Sequence, residues 1–146
     1  MNKFKEQLYN QINPAAVLIE LERYPEQIKA RKSLVRDLKR RFDDVDVDRV
    51  ARENEIKTDI AGNKNFSNEK ARQAELAKLI LTDAEYIAAA RKGQAAEQAL
   101  GQARDEVEML ENKYRSCRYK AEVIAAQLRF WAGDEQKEDL HSNQAY

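Results

Sequence analysis

Residues that form covalent or metal cross-links are almost absent from this sequence. One cysteine and one histidine occur in 146 residues. A single cysteine excludes an internal disulfide and a metal site built from paired cysteines. Four glycines and two prolines leave few places for the chain to turn. With aromatic residues at 8%, we expect burial to come from a narrow helical seam or from association, not from a thick core.

Long apolar runs and an excess of charge of one sign are also missing. No stretch approaches the roughly 20 apolar residues that a membrane span requires. The first residues, MNKFKEQLYNQINP, lack the apolar segment of a signal peptide. The formal net charge is zero, so no global field attracts nucleic acid or anionic lipid, and any such binding must be local. We therefore expect a cytoplasmic protein that does not bind membranes.

What the sequence has in abundance is charged residues, at 36%, set among good helix formers. Asn13 and Pro14 predict a helix start, and the first long helix is expected over residues 14–61. Its seam follows a seven-residue repeat that only Arg31 interrupts: Leu21, Ile28, Val35 and Phe42 at one position, Tyr24, Leu38 and Val45 at the other. Residues 1–13 are expected to form an amphipathic arm that either docks on a neighbouring subunit or folds back on its own chain.

The segment GNKNFSN, residues 62–68, separates this helix from the next. Gly62 is expected to cap the first helix, and Ser67 is expected to be the N-cap of a short helix over residues 68–81. Thr82 and Glu85 form a capping box that predicts a restart at 83. The segment is either a recognition tip that presents Lys64 and Phe66 or a joint in which Phe66 packs back, and we favour the joint.

The repeat of the last helix, predicted over residues 83–132, runs for seven heptads without a charged residue in the seam. Its two seam positions hold Tyr86, Gly93, Leu100, Val107, Tyr114, Ala121 and Leu128, and Ala89, Ala96, Ala103, Leu110, Cys117, Ile124 and Trp131. The sequence thus predicts an all-α fold, a long antiparallel coiled-coil hairpin with a short bracing helix near its tip, followed by a flexible polar tail over residues 133–146. The seam expected to mediate self-association comprises Leu100, Val107, Leu110, Tyr114, Cys117, Ile124, Leu128 and Trp131.

Two basic clusters are candidates for contact with nucleic acid. If residue 60 lies opposite residues 84–86, then Lys39, Arg40 and Arg41 meet Asp105, Glu106 and Glu108, and residues near 31 lie opposite those near 115. The clusters would then merge into one basic collar able to contact phosphates. Alternatively, these residues are solvated and paired with nearby glutamates. The collar comprises Lys29, Arg31, Lys32, Arg36, Lys113, Arg115, Arg118 and Lys120.

Residues for catalysis or metal binding are few. Asp44, Asp46, Asp48 and Glu55 match the ligand spacing of a calcium-binding EF-hand loop, but Arg49 occupies the position that requires glycine. These aspartates are better interpreted as solvated helix residues. Cys117 is expected in the hydrophobic seam, and His141 lies in the tail. We therefore expect neither an enzyme, nor a cofactor, nor a bound metal.

Two stretches, NFSNEKARQAELAKLILTDAEYIAAA and ARDEVEMLENKYRSCRYKAEVIAAQL, carry a family resemblance. Their layout over residues 15–131 resembles that of small coiled-coil proteins of phages and prophages. In these a long helix, a short capped helix, a D-x-E-Y restart and an R-x-x-R stretch recur. Matching Asp83, Glu85, Tyr86, Arg115 and Arg118 to that pattern implies a shared fold more than a shared site. Such proteins are often encoded near single-strand annealing recombinases.

Together, the patterns and the resemblance predict a non-enzymatic, self-associating scaffold, an accessory factor in phage DNA replication or recombination whose protein partner is unidentified. The alternative is a direct nucleic-acid binder that uses the basic collar. A third class, a calcium-responsive switch, follows from the aspartate spacing and is not favoured.

Overall fold

Four helices make up the described part of the chain. The computed structural model describes the backbone of residues 3–143, and the side chains in that range except those of residues 134–136 and 138–143. The helices are α1 (Lys3–Ile12), α2 (Pro14–Ala61), α3 (Glu69–Ile80) and α4 (Ala84–Asn143). The described residues contain no strand. The all-α class and the helical hairpin are therefore as predicted.

Asn13 ends one helix and starts the next. Its backbone is left-handed, with φ 48°, a conformation that asparagine tolerates at helix ends. Its N–H donates to the carbonyl of Tyr9 at 3.1 Å, and its side-chain Oδ1 accepts from the N–H of Ala16 at 3.3 Å. Pro14 follows at the first helical position, where no N–H is needed. The predicted start of α2 is confirmed, and the N-terminal arm is a helix.

The α2 helix continues through Pro25 to Ala61. Proline has no N–H to donate to the carbonyl four residues earlier, so the ladder of hydrogen bonds lacks the bond to Leu21. At the other end, the N–H of Gly62 donates to the carbonyl of Thr58 at 3.0 Å. Gly62 does not have the positive φ of a left-handed cap. The predicted end of α2 is correct. The expected left-handed glycine cap is not formed by Gly62.

The N-caps of α3 and α4 each lie one residue beyond the predicted one. Asn68, not Ser67, caps α3, and its Oδ1 accepts from the N–H of Ala71 at 2.8 Å. Asp83, not Thr82, caps α4, and its Oδ1 accepts from the N–H of Tyr86 at 2.7 Å. Thr82 instead donates its hydroxyl to the carbonyl of Leu79 at 3.3 Å. In both places two adjacent polar residues compete for one cap.

The α4 helix extends eleven residues beyond the predicted end at residue 132, to Asn143. Gly133, expected to begin a flexible tail, lies inside the helix. A Cβ placed on Gly133 would meet nothing within 4 Å, so its backbone does not depend on the absence of a side chain. The predicted end of this helix at residue 132 is wrong, because the absence of an apolar face does not stop helical hydrogen bonding among good helix formers. Residues 144–146 of that tail lie outside the described residues.

The chain divides into two compact units, each with its own buried side chains. The terminal unit comprises Met1–Ala30 and Val107–Tyr146, and the central unit comprises Arg31–Glu106. In the central unit the most buried apolar side chains are Ile56, Ile60, Leu100 and Ala103, and in the terminal unit the most buried is Cys117. Of the fourteen predicted seam residues of α4, only Leu128 is exposed. The heptad pattern therefore identified the buried face of α4.

The register of α2 against α4 differs from the predicted one by nine residues at Arg31, or about two and a half helical turns. In the central unit, Arg52 meets Asp83 at 2.7 Å and Arg31 meets Glu106 at 3.0 Å, whereas we predicted residues near 115 opposite Arg31. The reason is that α3 takes the place of α4 beside the end of α2. Ile60 lines a cleft with Leu76 of α3, so α4 begins beside Arg52 instead of beside Ile60.

Candidate interaction surfaces

Cys117 marks the contact of α4 with α2 in the terminal unit. Its thiol lies 3.6 Å from the carbonyl oxygen of Val17 and 3.8 Å from Glu20 Oε2. The residue is 4% exposed. Burial, reinforced by the negative charge of Glu20, raises the pKa of the Cys117 thiol. A protonated, enclosed thiol is a poor nucleophile, so the side chain packs as a small apolar residue, as expected.

One helical turn before Cys117, two aromatic rings meet. Tyr24 of α2 and Tyr114 of α4 have ring centroids 6.1 Å apart with an interplanar angle of 43°. The guanidinium of Arg118 lies 5.8 Å from the centre of the Tyr114 ring, a cation–π distance. Tyr114 and Cys117, both predicted to mediate self-association, are thus covered by α2 of the same chain.

The other residues of the predicted self-association seam differ in exposure. Leu100 is buried in the central unit. Leu128 is 38% exposed in the terminal unit. The half-buried ones are Val107, Leu110, Ile124 and Trp131. Seven of these eight seam residues are therefore buried or half-buried within the chain itself.

The basic collar is not assembled by the contacts within either unit. In the central unit Arg31 pairs with Glu106. In the terminal unit residues 114 and 117 face residues 17–24, a segment that contains Glu20 and Glu22. The predicted meeting of residues near 31 with residues near 115 is wrong, because it depended on the incorrect register. The collar residues on both helices are nonetheless exposed: Lys29, Arg31, Lys32, Arg36, Lys113, Arg115, Arg118 and Lys120.

A group of charged side chains joins α2 to the start of α4 in the central unit. Arg52 donates to Asp83 at 2.7 Å and 3.1 Å, lies 3.4 Å from Glu85 and donates to Glu55 of its own helix at 2.8 Å. The hydrogen bond from Arg52, and to a lesser extent the one from the backbone N–H of Tyr86, lowers the pKa of Asp83 from 3.8 to about 2. Asp83 thus caps α4 and pairs with α2 at the same time, which fixes where α4 begins.

Two open clefts lie in the central unit. One, of about 420 Å³, separates α2 from α3 and is lined by Lys57, Ile60, Glu69, Arg72, Gln73 and Leu76. The other, of about 450 Å³, runs between α2 and α4 and is lined by Leu38, Arg41, Val45, Lys92, Ala95, Ala96 and Ala99. The second lies where the α4 seam consists of small residues, since alanine fills less of the space between two helices than leucine does.

The aspartates that match an EF-hand loop lie on a continuous helix. Residues 44–55 are all within α2, whereas EF-hand ligands converge from a loop. Asp46 pairs with Arg49 at 2.8 Å. A hydrogen bond to Asp46, and to a lesser extent one to the Tyr86 side chain, raises the pKa of the Arg49 guanidinium. Among the described residues, no group of three or more histidine, cysteine, aspartate or glutamate side chains is arranged to hold a metal.

The segment at residues 62–68 is held by its own hydrogen bonds. The N–H of Phe66 donates to the carbonyl of Asn63 at 3.2 Å, and the N–H of Asn65 donates to Asn63 Oδ1 at 3.0 Å. The Phe66 carbonyl accepts from Arg72 Nε at 3.0 Å. The Phe66 side chain is half-buried and Lys64 is exposed. These contacts favour the joint over the recognition tip.

Sequence reasoning missed a second stripe on α4, on the face opposite the seam. Seven residues repeat at intervals of three and four, and every one of them is exposed: Met109, Asn112, Ser116, Tyr119, Val123, Ala126 and Phe130. The largest are well exposed, with Tyr119 and Phe130 both at 68%. The sequence contains this second heptad pattern two residues after the first. It was overlooked because the uncharged seam is the more regular of the two. We call these seven residues the outer stripe.

Comparison with protein families, with curated proteins and with solved structures gave no match. None of the helices in the described part of the chain combines the length and apolar content needed to span a bilayer. The surfaces above are therefore interpreted from their own chemistry.

Proposed function

We propose that this protein is a non-enzymatic helical scaffold that self-associates and binds a protein partner. The observation that carries the proposal is the exposure of large apolar side chains on each helical segment of the terminal unit. Examples are Phe4 of α1, Leu18 of α2 and Tyr119 of α4. Single exposed apolar residues are common, but an exposed apolar stripe of several turns on one helix is typical of an interaction surface.

Sedimentation equilibrium of the full chain tests self-association. We expect the weight-average mass to rise above that of the monomer as the protein concentration increases, because apolar surface is removed from water on association. A monomer mass at every concentration would contradict the proposal. The same experiment with Leu18→Ala and with Tyr119→Ala shows whether α2 or α4 supplies the contact.

We further propose that the scaffold acts as an accessory factor in phage or prophage DNA replication or recombination. The support is the resemblance in layout, which includes the D-x-E-Y restart at residues 83–86. In this protein that restart has a clear structural role, since Asp83 caps α4 and pairs with Arg52. A pull-down with a purified phage single-strand annealing recombinase tests the proposal, and a failure of the two purified proteins to bind one another would count against it.

Direct binding of nucleic acid is a second candidate, and one observation favours it. Within eight residues, α4 carries the exposed ring of Tyr119 and four exposed cations: Lys113, Arg115, Arg118 and Lys120. Cations bind phosphates, and an aromatic ring can stack on a base. A gel shift with single-stranded DNA tests this. The expected result is binding that weakens with salt and is lost in Arg115→Glu/Arg118→Glu, whereas unchanged binding in that variant excludes this cluster.

A further inference from the structure

The outer stripe of α4 has the spacing of a coiled-coil seam but no covering helix within the terminal unit. Its steps of three and four residues match positions a and d of a heptad repeat. All seven of its members are exposed, with Met109 at 48% and Val123 at 40%. The opposite face of the same helix already packs on α2 through Tyr114 and Cys117. This part of α4 therefore has one occupied seam and one open seam.

The residues that flank the outer stripe on one side alternate in charge. Glu108, Arg115, Glu122 and Arg129 follow one another at intervals of seven and occupy the position just before each a residue. All four are exposed. Arg115 also donates to Asn112 of the stripe at 3.4 Å. In coiled coils such flanking charges determine which helix is bound and in which direction.

This alternation is complementary to itself when two copies run antiparallel. In that orientation the flanking position of one helix faces the same position of the other. Glu108 then meets Arg129 of a second copy, and Arg115 meets Glu122. Because the arrangement is twofold symmetric, each pair forms twice, giving four attractive pairs. The core layers place Met109 against Ala126 and Ser116 against Tyr119.

A parallel arrangement does not have this complementarity. There each flanking residue faces the position five residues later on the other helix. Arg115 would then face Lys120, which is a repulsive pair, and Glu122 would face the uncharged Gln127. Glu108 facing Lys113 and Arg129 facing Asp134 would be the attractive pairs. Only the antiparallel orientation therefore places all four flanking charges, Glu108, Arg115, Glu122 and Arg129, opposite a charge of the other sign.

We propose that two copies of this chain associate through the outer stripe of α4 in antiparallel orientation, held in register by Glu108, Arg115, Glu122 and Arg129. The proposal rests on the self-association proposed above and names its surface. It replaces the seam through Tyr114 and Cys117, which the chain itself covers, as the site of association. The opposite flank carries Lys113 and Lys120, which face one another in this arrangement and limit its affinity.

Paired charge reversals test the register. We expect Arg115→Glu or Glu122→Arg alone to raise the dimer dissociation constant by roughly tenfold, since each converts two attractive pairs into repulsive ones. An equimolar mixture of the two single variants should form a heterodimer with an affinity within about threefold of the original, because every facing pair is again of opposite charge. Sedimentation equilibrium measures all three, and circular dichroism verifies that each variant is folded.

Two further variants separate pairing from a general effect of charge. Arg23→Glu makes the same change at an exposed residue of α2 in the terminal unit, and it should leave the dissociation constant unchanged. Lys120→Glu should lower the dissociation constant, because the carboxylate introduced at that position would face Lys113 of the second copy. If the lysines and arginines of this segment served to bind DNA instead, Lys120→Glu and Arg115→Glu would both weaken DNA binding and neither would alter self-association.

The outcomes distinguish this inference from the proposal on which it rests. If the native protein is a monomer at every concentration, both fail. If it self-associates but mixing the two single variants does not restore the affinity, the antiparallel pairing is overturned and self-association through another surface stands. Restoration on mixing, together with tighter association of Lys120→Glu, supports the pairing.

Discussion

The central and terminal units use the same two long helices but hold them together by different means. In the central unit the buried side chains are those of Ile56, Ile60 and Leu100. There Asp83 also caps α4 and forms an ion pair with Arg52 of α2. In the terminal unit the contacts are the rings of Tyr24 and Tyr114 and the packed thiol of Cys117.

The two units also differ in what they leave exposed. Among the described side chains, the aromatic rings that are exposed all belong to the terminal unit: Phe4, Tyr9, Tyr119 and Phe130. In the central unit Phe42, Phe66 and Tyr86 are half-buried. The central unit thus covers its rings within one chain, whereas the terminal unit presents them. The central unit does expose aliphatic side chains, among them Val47 and Leu81. Under the function proposed above, the exposed rings are the surface that the terminal unit would offer to a partner.

The largest expected effect concerns access to Cys117. In the folded protein we expect a disulfide reagent to label it at least about a hundredfold more slowly than in urea, because the thiol is enclosed and its pKa is raised. A Gln98→Cys/Cys117→Ala variant provides the control, with an exposed thiol on α4 in the central unit. Equal labelling rates for the two thiols would show that the terminal unit does not pack as described.

The next largest effect is on the free energy of unfolding, for a buried residue of the central unit and an exposed residue of the terminal unit. We expect Ile60→Ala to lower the free energy of unfolding by about 2–4 kcal/mol, since it leaves a cavity where α2 packs near α3. Leu18→Ala, at an exposed position, should change it by less than about 0.5 kcal/mol. Urea unfolding followed by circular dichroism measures both. A large loss for Leu18→Ala would show that α2 is covered there.

Removal of the Asp83 carboxylate should have a smaller effect. We expect Asp83→Asn to lower the melting temperature by a few degrees at neutral pH, because asparagine still caps α4 but does not form the ion pair with Arg52. Thr82→Ala is the control for the cap that the sequence predicted, and it should change the melting temperature less.

The pH dependence of that difference follows from the lowered pKa of Asp83. A carboxylate with a pKa of about 2 in the folded state, against 3.8 ordinarily, adds stability that is fully present above about pH 4 and is lost as the pH falls towards 2. The difference in melting temperature between the native protein and Asp83→Asn should therefore disappear over that range. A difference that persists at pH 2 would mean that the ion pair is not its cause.

The smallest effect is a gain in stability. A Cβ placed on Gly101 in the central unit or on Gly133 in the terminal unit would meet nothing within 4 Å, and both residues are inside α4. Gly101→Ala should therefore raise the free energy of unfolding by about 0.5–1 kcal/mol through helix propensity alone. Gly133→Ala makes the same change near the end of the helix, where fraying should reduce the gain. A loss of stability at Gly101 would show that another helix lies close to it.

Local sequence patterns determined which residues form helices and which faces of those helices are buried. The start of α2 followed from the capping side chain of Asn13, and the seam of α4 followed from apolar periodicity. Both signals depend only on residues within a few helical turns. Tertiary structure decided how the helices lie against one another. The register depends on α3 lying beside Ile60 and on Arg52 reaching Asp83, contacts between residues far apart in sequence that no local pattern encodes. The same packing decided which of two heptad stripes on α4 is covered and which remains exposed. A helix with two heptad stripes does not itself specify which one its own chain will bury.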